Sequence, residues 1–213
     1  MKVVEIFNSI EGEGKRAGLP CTFVRLFGCN LNCSYCDSRY ACEGDGYMIM
    51  TAEEIVSRVK NIECPCVTVT GGEPMIHPGI HKLLRLLVDS GFFVNVETNG
   101  SVSELTDYGP NLFYTVDYKT LSSGMSEKMN KEAFTRLDAW DVVKFVVGST
   151  EDLDQALEIM EKLNCRAQVF VSPIFGKIEP KEIVDYIQYH KLWNWRVQLQ
   201  MHKYIWDPEQ RGV

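Results

Sequence analysis

The residues best suited to chemistry are the cysteines. Cys21, Cys29, Cys33, Cys36 and Cys42 crowd together, Cys64 and Cys66 follow, and Cys165 stands alone. Within the first group, Cys29-Asn-Leu-Asn-Cys33-Ser-Tyr-Cys36 spaces three thiols as C-x3-C-x2-C. Three readings compete. A structural zinc site takes four ligands, often as two C-x2-C pairs, and Cys21 or Cys42 could supply the fourth. Three unrelated buried thiols need no ligand. A four-iron cluster held by three thiolates leaves one iron open to an outside chelate, and three closely spaced ligands on a loop suit three corners of one cube. The spacing favours the cluster.

Other groups could join such chemistry. Thr70-Gly71-Gly72-Glu73-Pro74 offers two glycines that let backbone approach a ligand closely and a carboxylate able to accept from an ammonium group; taken alone it reads as a tight turn. Ser9-Ile-Glu11-Gly12-Glu13-Gly14 is a loop with two carboxylates. Arg25 carries a guanidinium that pairs bidentately with a planar carboxylate; its alternative is a surface Arg on an alternating strand. His202 suits substrate contact and a structural role equally. His77 and His81 read as a solvated helix start. Cys66 packs in its strand, Cys64 sits at a turn, and Cys21, Cys42 and Cys165 read as small buried or idle thiols.

These residues need a scaffold, and the pattern supplies one. Thr22–Phe27 alternates as a strand, and a turn-rich segment runs from Gly28 to Gly46. Thr51-Ala-Glu-Glu54 is a capping box opening a helix to about Asn61. Cys66–Thr70 is a β-branched strand, and His77–Asp89 is a helix stopped by Gly91. Strands follow at Phe92–Glu97, Leu112–Tyr118 and Val142–Val147, a helix at Glu151–Leu163, and a strand at Arg166–Val171. Pro180 starts a helix to about His190, and Trp195–Met201 is the last strand. This alternation predicts a parallel α/β sheet. A closed eight-fold barrel takes about 250 residues, so 213 residues predict a partial, open (β/α)6-type, TIM-like barrel with an N-terminal extension. Residues 1–213 are read as a single domain.

Composition narrows the function classes. With 45% hydrophobic and 24% charged residues and a net charge of −7, the chain is ordinary globular material. No basic stripe suits a phosphate backbone, which argues against a nucleic-acid partner. No apolar run suits a membrane span or leader, so the expected location is cytoplasmic. There, thiols serve metals more readily than disulfides.

The triplet after the first barrel strand, with Tyr35 at its aromatic position and the Gly-Gly-Glu-Pro element one strand later, resembles the radical S-adenosylmethionine superfamily. Ser9–Gly14, Phe23-Val-Arg25, Gly28-Cys29, Cys36-Asp37-Ser38, Glu97-Thr98-Asn99-Gly100, Asp117-Tyr-Lys119, Ser122-Ser123-Gly124 and Gln200-Met-His202-Lys203-Tyr204 together resemble its 7-carboxy-7-deazaguanine synthase family across nearly the whole chain. That resemblance implies a lyase of 7-deazapurine (queuosine) biosynthesis. It would contract the ring of 6-carboxy-5,6,7,8-tetrahydropterin with loss of ammonia, starting from hydrogen abstraction at C6 by an adenosyl radical. It implies a [4Fe-4S] cluster on Cys29, Cys33 and Cys36, with S-adenosylmethionine regenerated as a true cofactor. Gly72, Glu73, Ser122, Ser123 and Ser172-Pro173-Ile174-Phe175 would form the S-adenosylmethionine site. Mg²⁺ would sit on the Ser38 hydroxyl. Glu11, Gly12 and Glu13 would read the pterin edge, Arg25 would hold its carboxylate, and Thr70 and His202 would face it. An electron donor such as flavodoxin or ferredoxin and a homodimer are implied too. Glu11 stands where many relatives have Gln, and Ser38 where some have Thr. No general base is identified. Two alternatives are a glycyl-radical-enzyme activase, sharing the triplet but acting on a protein, and a zinc-stapled binding module without catalysis.

Overall fold

The computed structural model describes residues 1–163, 165–208 and 210–213. The chain opens with β1 (Lys2–Ile10), β2 (Pro20–Leu26) and the two-residue β3 (Met48–Ile49). It continues through α1 (Ala52–Lys60), β4 (Cys66–Gly71), α2 (Ile80–Asp89), β5 (Phe93–Thr98) and β6 (Leu112–Tyr118). It ends with α3 (Lys131–Thr135), β7 (Val142–Val147), α4 (Thr150–Leu163), β8 (Gln168–Pro173), α5 (Pro180–Tyr189), β9 (Trp195–Val197) and α6 (His202–Ile205). One nine-stranded sheet runs in the order β3-β1-β2-β4-β5-β6-β7-β8-β9. β1 is antiparallel to β2 and β3, and every other pairing is parallel. The first and last strands do not pair, so the barrel is open, as the alternation predicted.

Local signals explain the elements. The Thr51 hydroxyl accepts from Glu54 N at 3.2 Å while Glu54 accepts from Thr51 N at 2.7 Å, and the capping box starts α1. Ile80, Leu83, Leu84 and Leu87 put the apolar stripe of α2 against the sheet. The outward residues of the parallel strands, such as Val69, Val96, Val116, Val143 and Val171, join one apolar core with these helices. The inward residues are different: Arg25, Thr70, Glu97, Asp117, Lys144 and Ser172. Arg25 lies in register with Glu5 on one side and Thr70 on the other. A polar interior wrapped by an apolar outer shell is therefore built from the two faces of the same strands.

The N-terminal extension is the strand β1, its Phe7 ring stacked on Phe23 at 5.1 Å. No helix joins β5 to β6. One strand differs from expectation. The last strand stops at Val197 rather than Met201, because the following residues turn to meet the β1–β2 hairpin. Gly14 N donates to Gln198 Oε1 at 2.7 Å, and Met201 N to Gly12 O at 3.0 Å. That hairpin also floors the barrel. Arg16 donates to Val67 O at 3.1 Å and Phe93 O at 2.7 Å, and the Lys15 ammonium lies 3.7 Å from the Trp140 ring centroid.

Candidate active site

The open mouth of the barrel holds a cavity of about 1380 Å³ at the C-terminal ends of the strands, the end at which barrel folds bind ligands. Gly12, Glu13, Arg25, Cys29, Cys33, Cys36, Ser38, Thr70, Gly72, Ser122, Ile174, Phe175 and His202 all line it. Residues drawn from both ends of the sequence thus meet around one cavity.

The cysteine loop is fastened at both ends. Ser34 N donates to Ser123 O at 3.0 Å and Ser34 Oγ to Ser122 O at 2.6 Å, tying the loop to the turn after β6. At the other side, Gly72 N donates to Leu26 O at 3.0 Å and Glu73 N to Gly28 O at 2.8 Å. A Cβ at Gly72 would lie 2.1 Å from Gly28 O, and one at Gly71, whose φ is +145°, 2.1 Å from Leu26 O. The glycine pair therefore admits the backbone that carries the cysteines; its tight approach is to protein.

The thiols are electrostatically unequal. Hydrogen bonding by the Cys42 thiol, reinforced by Leu31 N–H and Asn99, brings Cys29 down to about 6. The same thiol brings Cys36 to about 6, while its two sulfur partners push Cys42 itself upward. Burial raises Cys33. The Cys42 thiol lines the same cavity and donates to Ser38 O at 3.8 Å. Among the described residues no three His, Cys, Asp or Glu side chains converge on a site for a single metal ion. Cys29, Cys33 and Cys36 all line the cavity, the three-thiol donor set that a cluster with one open iron takes.

The substrate-side residues form a tight ionic set. Arg25 Nε donates to Glu5 Oε1 at 2.8 Å, and Tyr40 Oη to the same oxygen at 2.9 Å. Glu13 accepts from Ser172 Oγ at 2.7 Å and from Lys144 Nζ at 3.2 Å. Asp117 Oδ2 lies 2.8 Å from Lys119 Nζ and 3.5 Å from Lys144 Nζ. Burial alone would lower Lys144, but Glu13, Asp117 and Glu97 together hold it well above its usual range. Burial raises Glu97, despite a hydrogen bond from Thr70 Oγ1 at 2.8 Å. Asp117 Oδ1 and Tyr35 Oη are buried without a partner, as polar atoms awaiting a ligand would be. Burial lowers His202 and keeps the imidazole neutral. Its ring leaves no room for a side chain at Gly12, where a Cβ would sit 2.5 Å from His202 Nδ1.

Five expected residues lie off this wall. Glu11 is buried in the floor, accepting from Arg16 Nη2 at 2.8 Å and from the Thr68 hydroxyl, so its carboxylate points away from the cavity. The Arg16 guanidinium is the charge partner of this buried acid. Glu73 is wholly buried and accepts from Thr98 Oγ1 at 2.6 Å, Asn99 N at 2.6 Å and Met75 N at 2.9 Å. Its side chain links the exits of β4 and β5 and has no free face for an ammonium group. Ser123 donates to Thr120 O at 2.5 Å and holds its own turn. Ser172 reaches the cavity only through Glu13, and Pro173 closes β8. Conversely, Glu97, Asp117, Lys119, Lys144 and Cys42 line the cavity without an assigned role from sequence. A lone lysine inside Val142-Val-Lys-Phe-Val-Val147 was the available signal for Lys144.

Residues 24–190 match the model of the radical SAM superfamily. The chain is 44% identical to a 7-carboxy-7-deazaguanine synthase of Clostridium acetobutylicum, over 100% of this chain and 99% of that one. It is 38% identical to a protein of the same name from Chlorobaculum tepidum, over 100% and 97%. The crystal structure of QueE from Escherichia coli superposes with a TM-score of 0.77 at 25% identity, covering 94% of each chain. Streptococcus suis SuiB bound to S-adenosylmethionine shares the fold, with a TM-score of 0.58 at 13% identity over 83% of this chain and 46% of that one.

Proposed function

The chain belongs to the radical SAM superfamily and, within it, to the 7-carboxy-7-deazaguanine synthase family, and from that premise we propose how its cavity contracts 6-carboxy-5,6,7,8-tetrahydropterin to 7-carboxy-7-deazaguanine with loss of ammonia. The observation that carries the assignment of residues is the meeting, in one cavity, of the cysteine triplet with Glu13, Arg25, Asp117 and Lys144.

Cys29, Cys33 and Cys36 would hold the [4Fe-4S] cluster, and Gly72, Ser122, Ile174 and Phe175 would border S-adenosylmethionine. When bound, the pair supplies hydrogen-atom abstraction. The chain's own residues do the rest. Arg25 keeps Nε on Glu5 and offers its terminal amines to the substrate carboxylate. Glu13, fixed by Ser172 and Lys144, accepts from the N–H edge of the pterin, beside the Gly12 backbone. Neutral His202 and Thr70 complete the contacts. Glu97, kept toward its protonated form by burial, gives or takes a proton where ammonia departs. Ser38 Oγ, which donates to Asp37 Oδ1 on the cavity wall, would supply an oxygen ligand to Mg²⁺. Glu11 and Glu73 act through position alone.

An outside one-electron donor of the flavodoxin or ferredoxin type follows from the cluster. A homodimer follows from the resemblance. No helix among the described residues is long and apolar enough to cross a membrane.

The test is anaerobic turnover of iron-reconstituted protein with reductant, S-adenosylmethionine, Mg²⁺ and 6-carboxytetrahydropterin, read by mass. The expected product has lost ammonia. Formation of 5′-deoxyadenosine without the deazaguanine would overturn the substrate assignment and favour an activase.

A further inference from the structure

The corner of the cavity that holds Arg25 carries a second guanidinium. Tyr40, in the 3-10 turn Arg39–Ala41, donates through Oη to Glu5 Oε1 at 2.9 Å, the oxygen that also accepts from Arg25 Nε at 2.8 Å. Two arginines lie over the Tyr40 ring: Arg25 Cζ is 5.8 Å from its centroid and Arg211 Cζ 4.1 Å. The next residue, Gly212, reaches the same acid, since a Cβ there would lie 3.9 Å from Glu5 Oε2. Arg211 and Gly212 line the cavity together with Arg25 and Tyr40. The last residues of the chain thus return to β1 and β2. No carboxylate among the described residues forms an ion pair with Arg211.

Charge decides what such a corner lacks. The Arg25 guanidinium is already neutralised by Glu5 at 2.8 Å, so it directs hydrogen bonds while adding little net positive charge. A carboxylate offers two oxygens with about four acceptor positions, and one arginine whose Nε is occupied fills about two of them. A second guanidinium on the same ring supplies the missing charge and further donors, and stacking on the ring fixes its plane. We propose that Arg211 is a specificity-determining residue of the substrate site: it binds the carboxylate of the pterin beside Arg25, as the second arm of a two-arginine clamp. This rests on the proposed function, with Arg25 as the first arm. The tail thereby takes part in choosing the substrate.

The measurement is calorimetric titration of anaerobic, cluster-loaded protein with S-adenosylmethionine and no reductant, so that binding is read without turnover. The probes are 6-carboxy-5,6,7,8-tetrahydropterin and tetrahydropterin lacking the carboxylate. The proteins are wild type, Arg211→Ala and Arg211→Lys. Arg211→Ala should weaken the carboxylated pterin about three- to tenfold, less than a buried charge pair would, because Arg211 is exposed. Its affinity for the pterin without a carboxylate should stay at the wild-type value. Arg211→Lys, which keeps the charge and loses the planar fork, should recover part of the loss. The same loss for both pterins would overturn the proposal and make Arg211 a staple holding the tail on Tyr40. Undiminished affinity of Arg211→Ala for the carboxylated pterin would overturn it too. Wild type that binds the two pterins equally would overturn the substrate assignment itself, and the clamp with it.

Discussion

Arg25 shows how one side chain serves two partners. Nε is spent on Glu5, whose oxygen Tyr40 also holds, so the guanidinium is fixed in direction before any ligand arrives. A charge-assisted hydrogen bond contributes about 1.5–3 kcal/mol. Arg25→Ala is therefore expected to raise the KM for the pterin about ten- to a hundredfold while leaving that for S-adenosylmethionine little changed; equal changes in both would remove Arg25 from the substrate site. Glu73 makes the opposite case, a carboxyl that supports the fold rather than the ligand. Burial pushes it up from 4.5 to about 7. A raised carboxyl favours the protonated folded state, so its contribution is present below about pH 4.5, declines as pH rises, and is gone above about pH 7. Urea unfolding at pH 5 and pH 8 should show wild type losing roughly 3 kcal/mol relative to Glu73→Gln across that window. Parallel pH profiles for the two proteins would contradict this.

Among the elements, the crossing of the β4 exit over the β2 exit is the tightest joint. Gly72→Ala places a methyl group against a carbonyl oxygen that belongs to backbone and cannot swing aside. The expected cost lies at the upper end of the about 1–3 kcal/mol seen for overpacking. Because the displaced segment is Gly28–Cys29, iron content after reconstitution should fall along with Tm. A variant that is destabilised yet fully loaded with iron would separate the joint from the cluster loop. The glycine pair was visible in the sequence, but its reason was not, since nothing in Thr70–Pro74 names the Leu26–Gly28 backbone that passes within hydrogen-bonding distance. The capping box, the α2 stripe and the β-branched strands were legible because their signals are local and periodic. β1 was not. Its residues are half-buried and mixed in polarity, and it is a strand through pairing with β2, a long-range fact. The same holds for Glu11 and Glu73. Their motif positions are plain, but which way a carboxylate turns depends on Arg16, Thr98 and Asn99 lying elsewhere in the chain.

For the whole molecule, the cavity is a joint product of strands that are distant in sequence, so ligand binding should report on global stability. A ligand held at a hundred times its Kd adds about 2.7 kcal/mol. For a chain of this size that is about 5–10 °C in Tm. A 6-carboxylated pterin should give such a shift in cluster-loaded protein with S-adenosylmethionine, and a pterin lacking the carboxylate a smaller one. Equal shifts from both would remove the carboxylate from recognition. The hairpin between β1 and β2 gives this molecule a further property. It bridges the unpaired edges of the sheet through Gly12, Gly14, Met201 and Gln198, while Glu13 and His202 ride on the two bridging segments. Part of what meets the reactant, Glu13 and His202, therefore stands on the clasp, while Arg25 and Thr70 stand on the strands beside the cysteine loop. Lengthening or rewriting the clasp would change only that part of the reading of the substrate, leaving the grip on the carboxylate and the cysteine loop as they are.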